Sequence, residues 1–194
     1  HQPETLTMEF LPYPKTPRLF RNITITEKID GTNACVAIGP QGTPGMLTTA
    51  NGYGIYAGSR SKWITPSSDN HGFARWVAEH AEELIQLGPG RHFGEWWGQG
   101  IQRKYGMDHK RFSLFNVHRW ESLPFAEYGL DNVGTVPVLY RGKFTTDAAE
   151  FWINNLIEGG SYAAPGFMKP EGIIIWHEAA QQMFKVTCEG DEKP

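Results

Sequence analysis

The stretch ITITEK, residues 23–28, alternates isoleucine with polar residues, a period of two that predicts a β-strand with one buried face. Since side chains two apart share a face, the isoleucines should enter the core while Lys28 and Asp30 point together away from it. The Asp30-Gly31 pair is a strong hairpin signal. The segment ITITEKIDGTNACVAI therefore predicts two strands that pair around this turn.

Later segments predict two helices and several more strands. Apolar residues at helical spacing predict a helix over about 71–87, and a second is predicted over roughly 146–157. Strands are predicted in TPGMLTTANGYGIYAGSR, RHFGEWWG, RFSLFNVHRW, TVPVLY, GIIIWH and QMFKVTC, and the proline-rich LPYPKTPRLF should lie irregularly over the surface. Without regular βαβ alternation, this content predicts an α+β fold of mostly antiparallel sheets with flanking helices.

Length and composition restrict the function classes. A chain of 194 residues with 40% apolar residues suits one soluble domain, and its longest apolar runs are too short to cross a membrane. The net charge of −3 excludes binding to nucleic acid through overall charge, so any such contact must be a local patch. Cys35 and Cys188 lack metal-ligand spacing and predict reduced thiols in a cytoplasmic protein.

The last two predicted strands supply a pairing argument. GIIIWH and QMFKV flank EAAQ, which predicts a hairpin whose turn centres near residue 178. Antiparallel pairing about that point sets Glu171 opposite Lys185, with Cβ atoms about 5 Å apart. The pair is either a cross-strand salt bridge or part of a site that handles phosphoryl charge.

Six motifs follow one another in the chain: EKIDG (27–31), GSRSK (58–62), FGEWWG (93–98), RFSLFNV (111–117), KPEGIIIW (169–176) and MFKV (183–186). Together they resemble the ordered motifs of the covalent nucleotidyltransferases, which are ATP-dependent DNA ligases, RNA ligases and mRNA capping enzymes. The motif sequences are most similar to those of the nick-sealing RNA ligases of phages, whose nucleophile motif commonly reads Glu-Lys-x-x-Gly-Thr-Asn. The resemblance spans roughly residues 14–187 and implies a nucleotidyltransferase, ATP-grasp-like ligase domain.

The resemblance implies a catalytic lysine with its partners. Lys28 would attack the α-phosphorus of ATP and hold AMP as a phosphoramidate, for which it must first lose its proton. By the same resemblance Glu171 helps to hold the catalytic metal, Mg²⁺ or Mn²⁺, and Lys185 contacts the α-phosphate. Asp30 and Asn33 would orient metal-bound water. Asp30 is therefore assigned to the metal site and Asn33 to the ATP site. Asp30 could equally be a turn residue.

The remaining ATP contacts also come from the resemblance. Glu95 would accept a hydrogen bond from a ribose hydroxyl, and Phe115 would stack on adenine, with Phe112 as the alternative. Arg60 would contact AMP or the end of the nucleic acid. Glu27 joins the ATP-binding set through its place in the nucleophile motif, although strand alternation directs it to the isoleucine side.

Arg103 and Lys104 lie in a cationic, aromatic segment that predicts contact with a phosphate backbone, or else a solvated loop. Two positions depart from the resembled pattern: Thr187 stands where a second lysine is usual, and Asn116 stands where many relatives have Asp. The chain also lacks room for the OB-fold or helical domain that follows in relatives, so residues 1–194 predict a single nucleotidyltransferase domain.

The favoured interpretation is an ATP-dependent polynucleotide ligase, preferably of RNA, that acts in RNA repair as a monomer. Its substrate would be nicked duplex RNA or an RNA/DNA hybrid, joined at a 3′-hydroxyl and a 5′-phosphate through lysyl-AMP. A minimal DNA ligase, a guanylyltransferase and a non-catalytic nucleotide- or RNA-binding module of the same fold remain as alternatives. Covalent labelling by ATP and pyrophosphate release would separate them.

Overall fold

The computed structural model describes residues 7–190, which fold into two β-sheets with short helices. Its strands are β1 (Asn22–Lys28), β2 (Thr32–Gly39), β3 (Thr48–Ala50), β4 (Tyr53–Gly58), β5 (Trp63–Ile64), β6 (Gly90–Gly98), β7 (Lys110–Leu114), β8 (Val133–Thr135), β9 (Val138–Lys143), β10 (Gly172–His177) and β11 (Gln182–Thr187). Its α-helices are α1 (Phe73–Glu79), α2 (Ala81–Leu84), α3 (Val117–Trp120) and α4 (Thr146–Gly159), and 3-10 turns cover Ile85–Leu87 and Phe125–Tyr128.

The smaller sheet has the strand order β11-β10-β1-β9, and the larger one has the order β3-β4-β2-β6-β7-β8 with β5 paired to β4. Among the paired strands of residues 7–190, β7 and β8 run parallel and the others antiparallel. The predicted α+β class with mostly antiparallel sheets is confirmed.

The predicted hairpin around Asp30-Gly31 is wrong, although both of its strands exist. β1 pairs with β9 and β10 in the smaller sheet, while β2 pairs with β4 and β6 in the larger sheet. The turn therefore carries the chain from one sheet to the other. Gly31 is required there because a Cβ would collide with the backbone of Trp96 and the side chain of Trp97.

Each sheet packs one face against helices. Four strand isoleucines (Ile23 and Ile25 of β1, Ile173 and Ile175 of β10) are buried with Leu156 of α4, while the larger sheet buries its inner face against α1 and α2. The side chain of Thr145 caps α4 by accepting a hydrogen bond from Ala148 N, and the helix ends at Gly159 as its glycine pair predicts. The helix predicted over 71–87 is present but interrupted at His80, where φ is −116°.

Other segments differ from expectation in detail. The strand predicted over RFSLFNVHRW ends at Leu114, because Asn116 caps α3 by accepting from Arg119 N at 3.2 Å. Asparagine is among the residues that cap helices most readily, which suits Asn116 to this position. Residues 7–20 are exposed and contain no helix or strand, as their prolines predict, and residues 1–6 lie outside the described range. Across the described part of the chain, every helix is too short or too polar to pass through a bilayer.

Candidate active site

Lys28 ends β1 and forms an ion pair with Glu171, the residue immediately before β10. The distance between Lys28 Nζ and Glu171 Oε1 is 2.7 Å, and the two side chains are 24% and 19% exposed. Because β1 and β10 are neighbours with Lys28 opposite Gly172, the register itself brings this lysine and this glutamate together. The sequence grouped both residues in one site, and the structure joins them directly.

The predicted pairing of Glu171 with Lys185 is wrong. The hairpin turn occupies residues 178–181, so the register sets Lys185 opposite Ile174 and places Cys188 next to Glu171. The turn lies farther along the chain than residue 178, and each residue of displacement in its centre moves the pairing by two. Glu171 thus stands beside an ammonium, as expected, but it is that of Lys28.

Lys185 still lies on the same face of the smaller sheet as Lys28. Residues that pair across strands share a face of the sheet, and so do alternate residues along a strand. On this face one row consists of Thr26, Ile174 and Lys185, and the next row consists of Lys28, Gly172 and Thr187. A side chain at Gly172 would collide with the backbone of β11, so glycine keeps the middle of this row bare. Thr187 therefore lies two strand spacings, about 10 Å, from Lys28 with no side chain between them.

Glu171 also has an oxygen that is free to bind a ligand. Its Oε2 is buried and has no hydrogen-bond partner among residues 7–190. A buried carboxylate oxygen without a donor is costly, so it marks a place where a cation or another donor would be favourable. A divalent cation that prefers oxygen ligands fits there.

The structure supplies few other protein ligands for such an ion. Asp30, the second predicted metal ligand, uses Oδ2 to accept from Arg103 Nε at 3.0 Å. Within the described range no three Asp, Glu, His or Cys side chains are grouped as a metal site. This fits Mg²⁺ or Mn²⁺ held by one or two carboxylates, water and substrate phosphates, rather than by a closed protein cage.

Glu95, on β6, connects the larger sheet to the turn after Lys28. Its Oε2 accepts a hydrogen bond from Gly31 N at 3.0 Å, and in the strand register it lies opposite Asn33. Burial raises the pKa of Glu95 to about 7, an effect that the Gly31 hydrogen bond and the Lys28 charge oppose. Carboxylate and amide side chains of neighbouring strands thus share the face toward Lys28.

The two candidate adenine-stacking rings have different surroundings. Phe112 is fully buried in the core of the larger sheet, where its ring lies 5.2 Å from that of Phe73. Phe115 is 37% exposed just after β7, and its N–H donates to Phe93 O at 3.0 Å. Phe112 is therefore unavailable to a ligand, and Phe115 is the ring that could stack on a base.

Glu27 faces away from Lys28, as strand alternation predicts. It is 1% exposed, and its carboxylate accepts from Ser161 Oγ at 2.7 Å, Tyr162 N at 2.6 Å and Ala163 N at 3.0 Å. Burial raises the pKa of Glu27, while these three donors oppose the shift. The Glu27 carboxylate therefore holds the loop after α4, and both of its oxygens are occupied by these hydrogen bonds rather than open to ATP.

Arg103 links the segments that carry Lys28 and Glu171. Its guanidinium donates to Asp30 Oδ2 at 3.0 Å, and to the carbonyl oxygens of Lys169 at 3.0 Å and Pro170 at 3.4 Å, just before Glu171. The forked geometry of arginine allows these contacts at once. Arg103 thus joins the end of β1 to the start of β10, a position that differs from the backbone-tracking role predicted for it.

Tyr105 is a site residue that the sequence patterns did not indicate. It is 2% exposed, and its hydroxyl accepts from Asp30 N at 2.7 Å while its ring contacts Trp97 and Phe167. Gln102, Lys104 and Tyr105 all have positive φ, so the loop folds back sharply toward Lys28. The glycines that frame this loop in the sequence were the available signal for a compact turn.

The other predicted contacts lie at the surface. Arg60 is exposed in the turn between β4 and β5, and Lys104 is exposed beside Arg103. Neither is brought into contact with Lys28. Their predicted roles toward nucleic acid remain predictions, as do the ATP contacts of Asn33, Glu95 and Phe115.

Solved structures of an RNA ligase have a similar fold. A Naegleria gruberi RNA ligase mutant without ligand matches with a TM-score of 0.60 and 20% identity over 87% of this chain and 50% of that one. Mutants of the same enzyme match with a TM-score of 0.54 and 16% identity in a structure with ATP and Mn, and 0.57 and 16% in one with AMP and Mn. The latter two matches cover 87% and 88% of this chain, and 49% and 51% of those chains.

This chain therefore spans about half the length of the solved relatives that it matches. No curated protein sequence matches it. The sequence model described as RNA ligase, however, matches residues 21–187, which include all six motifs and both sheets. The chain belongs to the RNA ligase family.

Proposed function

We propose that this chain is the nucleotidyltransferase domain of an ATP-dependent RNA ligase. The observation that carries the proposal is the Lys28–Glu171 ion pair, with its buried and unpartnered Glu171 Oε2. A primary amine beside a carboxylate with one open oxygen suits a reaction in which nitrogen attacks phosphorus close to a cation. Membership of the RNA ligase family supports a ligase reaction for this chain.

The first step forms a covalent enzyme intermediate. Lys28 Nζ, after losing its proton, attacks the α-phosphorus of ATP; an N–P bond forms, the P–O bond to pyrophosphate breaks, and AMP stays on the lysine. The hydrogen bond to Glu171 Oε1 offers the departing proton an acceptor at 2.7 Å. A divalent metal, when bound, supplies positive charge for the phosphate oxygens, and Glu171 with Asp30 are the residues that would hold it.

The next two steps transfer AMP and then seal the strand. An oxygen of the RNA 5′-phosphate displaces Lys28 from AMP, so that the N–P bond breaks and a P–O–P linkage forms. The 3′-hydroxyl then attacks the 5′-phosphate, forming the phosphodiester as AMP leaves. In this scheme Glu95 and Asn33 hold the ribose side of the nucleotide, Phe115 stacks on adenine, and Lys185 and Arg60 contact phosphates.

The finer parts of the proposal are the substrate, the oligomeric state and the location. We favour nicked duplex RNA or an RNA/DNA hybrid as substrate, a monomer as the active form, and the cytoplasm as its location. RNA repair is the corresponding process. The described residues, on this view, form one nucleotidyltransferase domain.

Sealing assays test the proposal. Nicked duplexes with RNA or DNA on each side of the break are incubated with ATP and Mg²⁺ or Mn²⁺, and the joined product is measured. We expect joining or at least 5′-adenylation when RNA carries the 3′-hydroxyl, and neither with Lys28→Ala. Preference for DNA strands would indicate a DNA ligase, and labelling by GTP but not ATP a guanylyltransferase. ATP binding without pyrophosphate release would leave only a binding module.

A further inference from the structure

A cavity lies on the face of the larger sheet that carries Glu95, one row farther along β2 and β6. Its volume is about 310 Å³, and its walls include Cys35 and Phe93, which pair directly in the register next to Asn33 and Glu95. Alternate residues of a strand are about 7 Å apart, so the cavity lies one row beyond Asn33 and Glu95, and Phe115 adjoins its Phe93 wall without lining it. Ser59, Ser61 and Lys62, in the turn between β4 and β5, also line it.

Two exposed aromatic rings line this cavity. Trp63 is 41% exposed and Phe93 is 51% exposed, although both lie on strands of a well-packed sheet. The Trp63 ring is held in place by Tyr56, at 5.3 Å between ring centroids, and by the absence of a side chain at Gly58. A fixed, partly uncovered indole is a platform on which a nucleic-acid base can stack at little entropic cost.

The cavity also carries positive charge. Lys62 and Arg91 line it, both are exposed, and neither forms an ion pair within residues 7–190. None of the described residues that line the cavity is acidic. Aromatic rings beside unpaired cations are the combination that binds single nucleotides of a strand through stacking and phosphate contact.

We propose that this cavity binds one nucleotide of the RNA strand that is to be joined. Its base stacks on Trp63 and Phe93, and its phosphate contacts Lys62 and Arg91. The volume is at the lower end for small-ligand sites, which suits one nucleotide rather than a longer stretch. The inference rests on the proposed function, since it places the RNA end beside the AMP that Lys28 would carry.

Binding measurements with substituted chains test it. Trp63→Ala should weaken binding of a short single-stranded RNA by roughly 5- to 150-fold, and Trp63→Phe should recover most of that loss. Lys62→Ala, a surface change that spares the fold, should weaken binding and lower the salt dependence by about one phosphate contact. Tyr53→Ala, with an equally exposed ring outside the cavity, is the matched control and should bind as the unsubstituted chain does.

Labelling of Lys28 by α-labelled ATP separates this inference from the function itself. If the unsubstituted chain takes no label, the proposed function fails. If Trp63→Ala and Lys62→Ala keep the label but lose RNA binding, the subsite is supported. If they lose the label or need more ATP, the cavity belongs to ATP and the inference is overturned, as it is when RNA binding is unchanged.

Photo-crosslinking then identifies which strand enters. RNA with 5-iodouridine at its 3′-hydroxyl end or at its 5′-phosphate end is irradiated with the chain, and crosslinked peptides are sequenced. Crosslinks to Trp63 or Phe93 from one of the two ends support the subsite and name its strand. Crosslinks that fall elsewhere, or none at all, contradict it.

Discussion

The two sides of the smaller sheet treat a carboxylate in opposite ways. On the helix side, Glu27 has three hydrogen-bond donors and both of its oxygens are satisfied. On the side of Lys28, Glu171 has one oxygen paired with Lys28, and its other oxygen is buried without a partner among residues 7–190. A saturated buried carboxylate stabilises the fold, whereas a half-satisfied one is available to a ligand. The contrast separates a structural glutamate, Glu27, from the glutamate that we propose for the reaction, Glu171.

Glu171→Gln should have the largest effect on the reaction. It removes the charge beside Lys28 and the oxygen open to a cation, so the rate of Lys28 adenylation should fall by about 10²–10³-fold. Thermal stability should change little, because the lost interaction is one part-exposed ion pair. Rates of labelling by α-labelled ATP and thermal melting measure the two effects, and Glu171→Asp should recover part of the rate. An unchanged rate would remove Glu171 from the site.

Glu27→Ala should show the reverse behaviour. It leaves the buried hydroxyl of Ser161 and the partly buried N–H groups of Tyr162 and Ala163 without their acceptor, so the free energy of unfolding should fall by about 2–5 kcal/mol. Urea unfolding measures this, with Glu158→Ala on the exposed face of α4 as the matched control. The adenylation rate of the folded fraction should stay within a few-fold. Unchanged stability with lost ATP binding would instead make Glu27 a ligand contact.

Glu95→Gln should alter the pH dependence of stability. Burial raises the pKa of Glu95 from 4.5 to about 7, so between these values the folded chain holds a proton that the unfolded chain releases. Stability should therefore decline as pH rises from about 4.5 through 7, by roughly 1–3 kcal/mol in total. The free energy of unfolding of the Gln variant should exceed that of the parent by this amount at pH 8, and the two values should converge near pH 4. A difference that does not vary with pH would contradict the assignment.

Arg103→Lys should have the smallest effect. A lysine keeps the charge near Asp30 but cannot also hold the carbonyl groups of residues 169 and 170, so adenylation should slow by a few-fold. Labelling rates measure this, with Arg75→Lys on α1 as the control. If Arg103→Ala leaves the labelling rate unchanged but lowers the salt dependence of RNA binding by about one phosphate contact, Arg103 contacts phosphates as the sequence predicted.

Much of the fold was predictable because local patterns determine it. The alternation in β1 set the opposite directions of Glu27 and Lys28, and the capping residues and glycines located α4. The hairpin at Asp30-Gly31 was mispredicted because a turn motif does not reveal that its strands join different sheets. The register error at Lys185 has a similar origin, since a displacement of the turn centre by one or two residues changes every pair.

The catalytic grouping was predictable in part. The motif residues Lys28, Glu95 and Glu171 lie around one turn, as the family resemblance implied. The Arg103–Asp30 link and the burial of Tyr105 were not predictable, because they depend on positive φ angles in a loop whose composition only indicated cationic surface. Burial of Phe112 likewise depends on which sheet face α1 covers.

The most direct test is to locate the AMP. The chain is incubated with ATP and Mg²⁺ or Mn²⁺, digested, and the peptides are analysed by mass spectrometry with Lys28→Ala as reference. We expect an acid-labile AMP on Lys28 alone, with stoichiometric pyrophosphate release, and none on the variant. AMP on another lysine, or a chain that binds ATP without forming any adduct, would contradict the assignment of Lys28 as nucleophile.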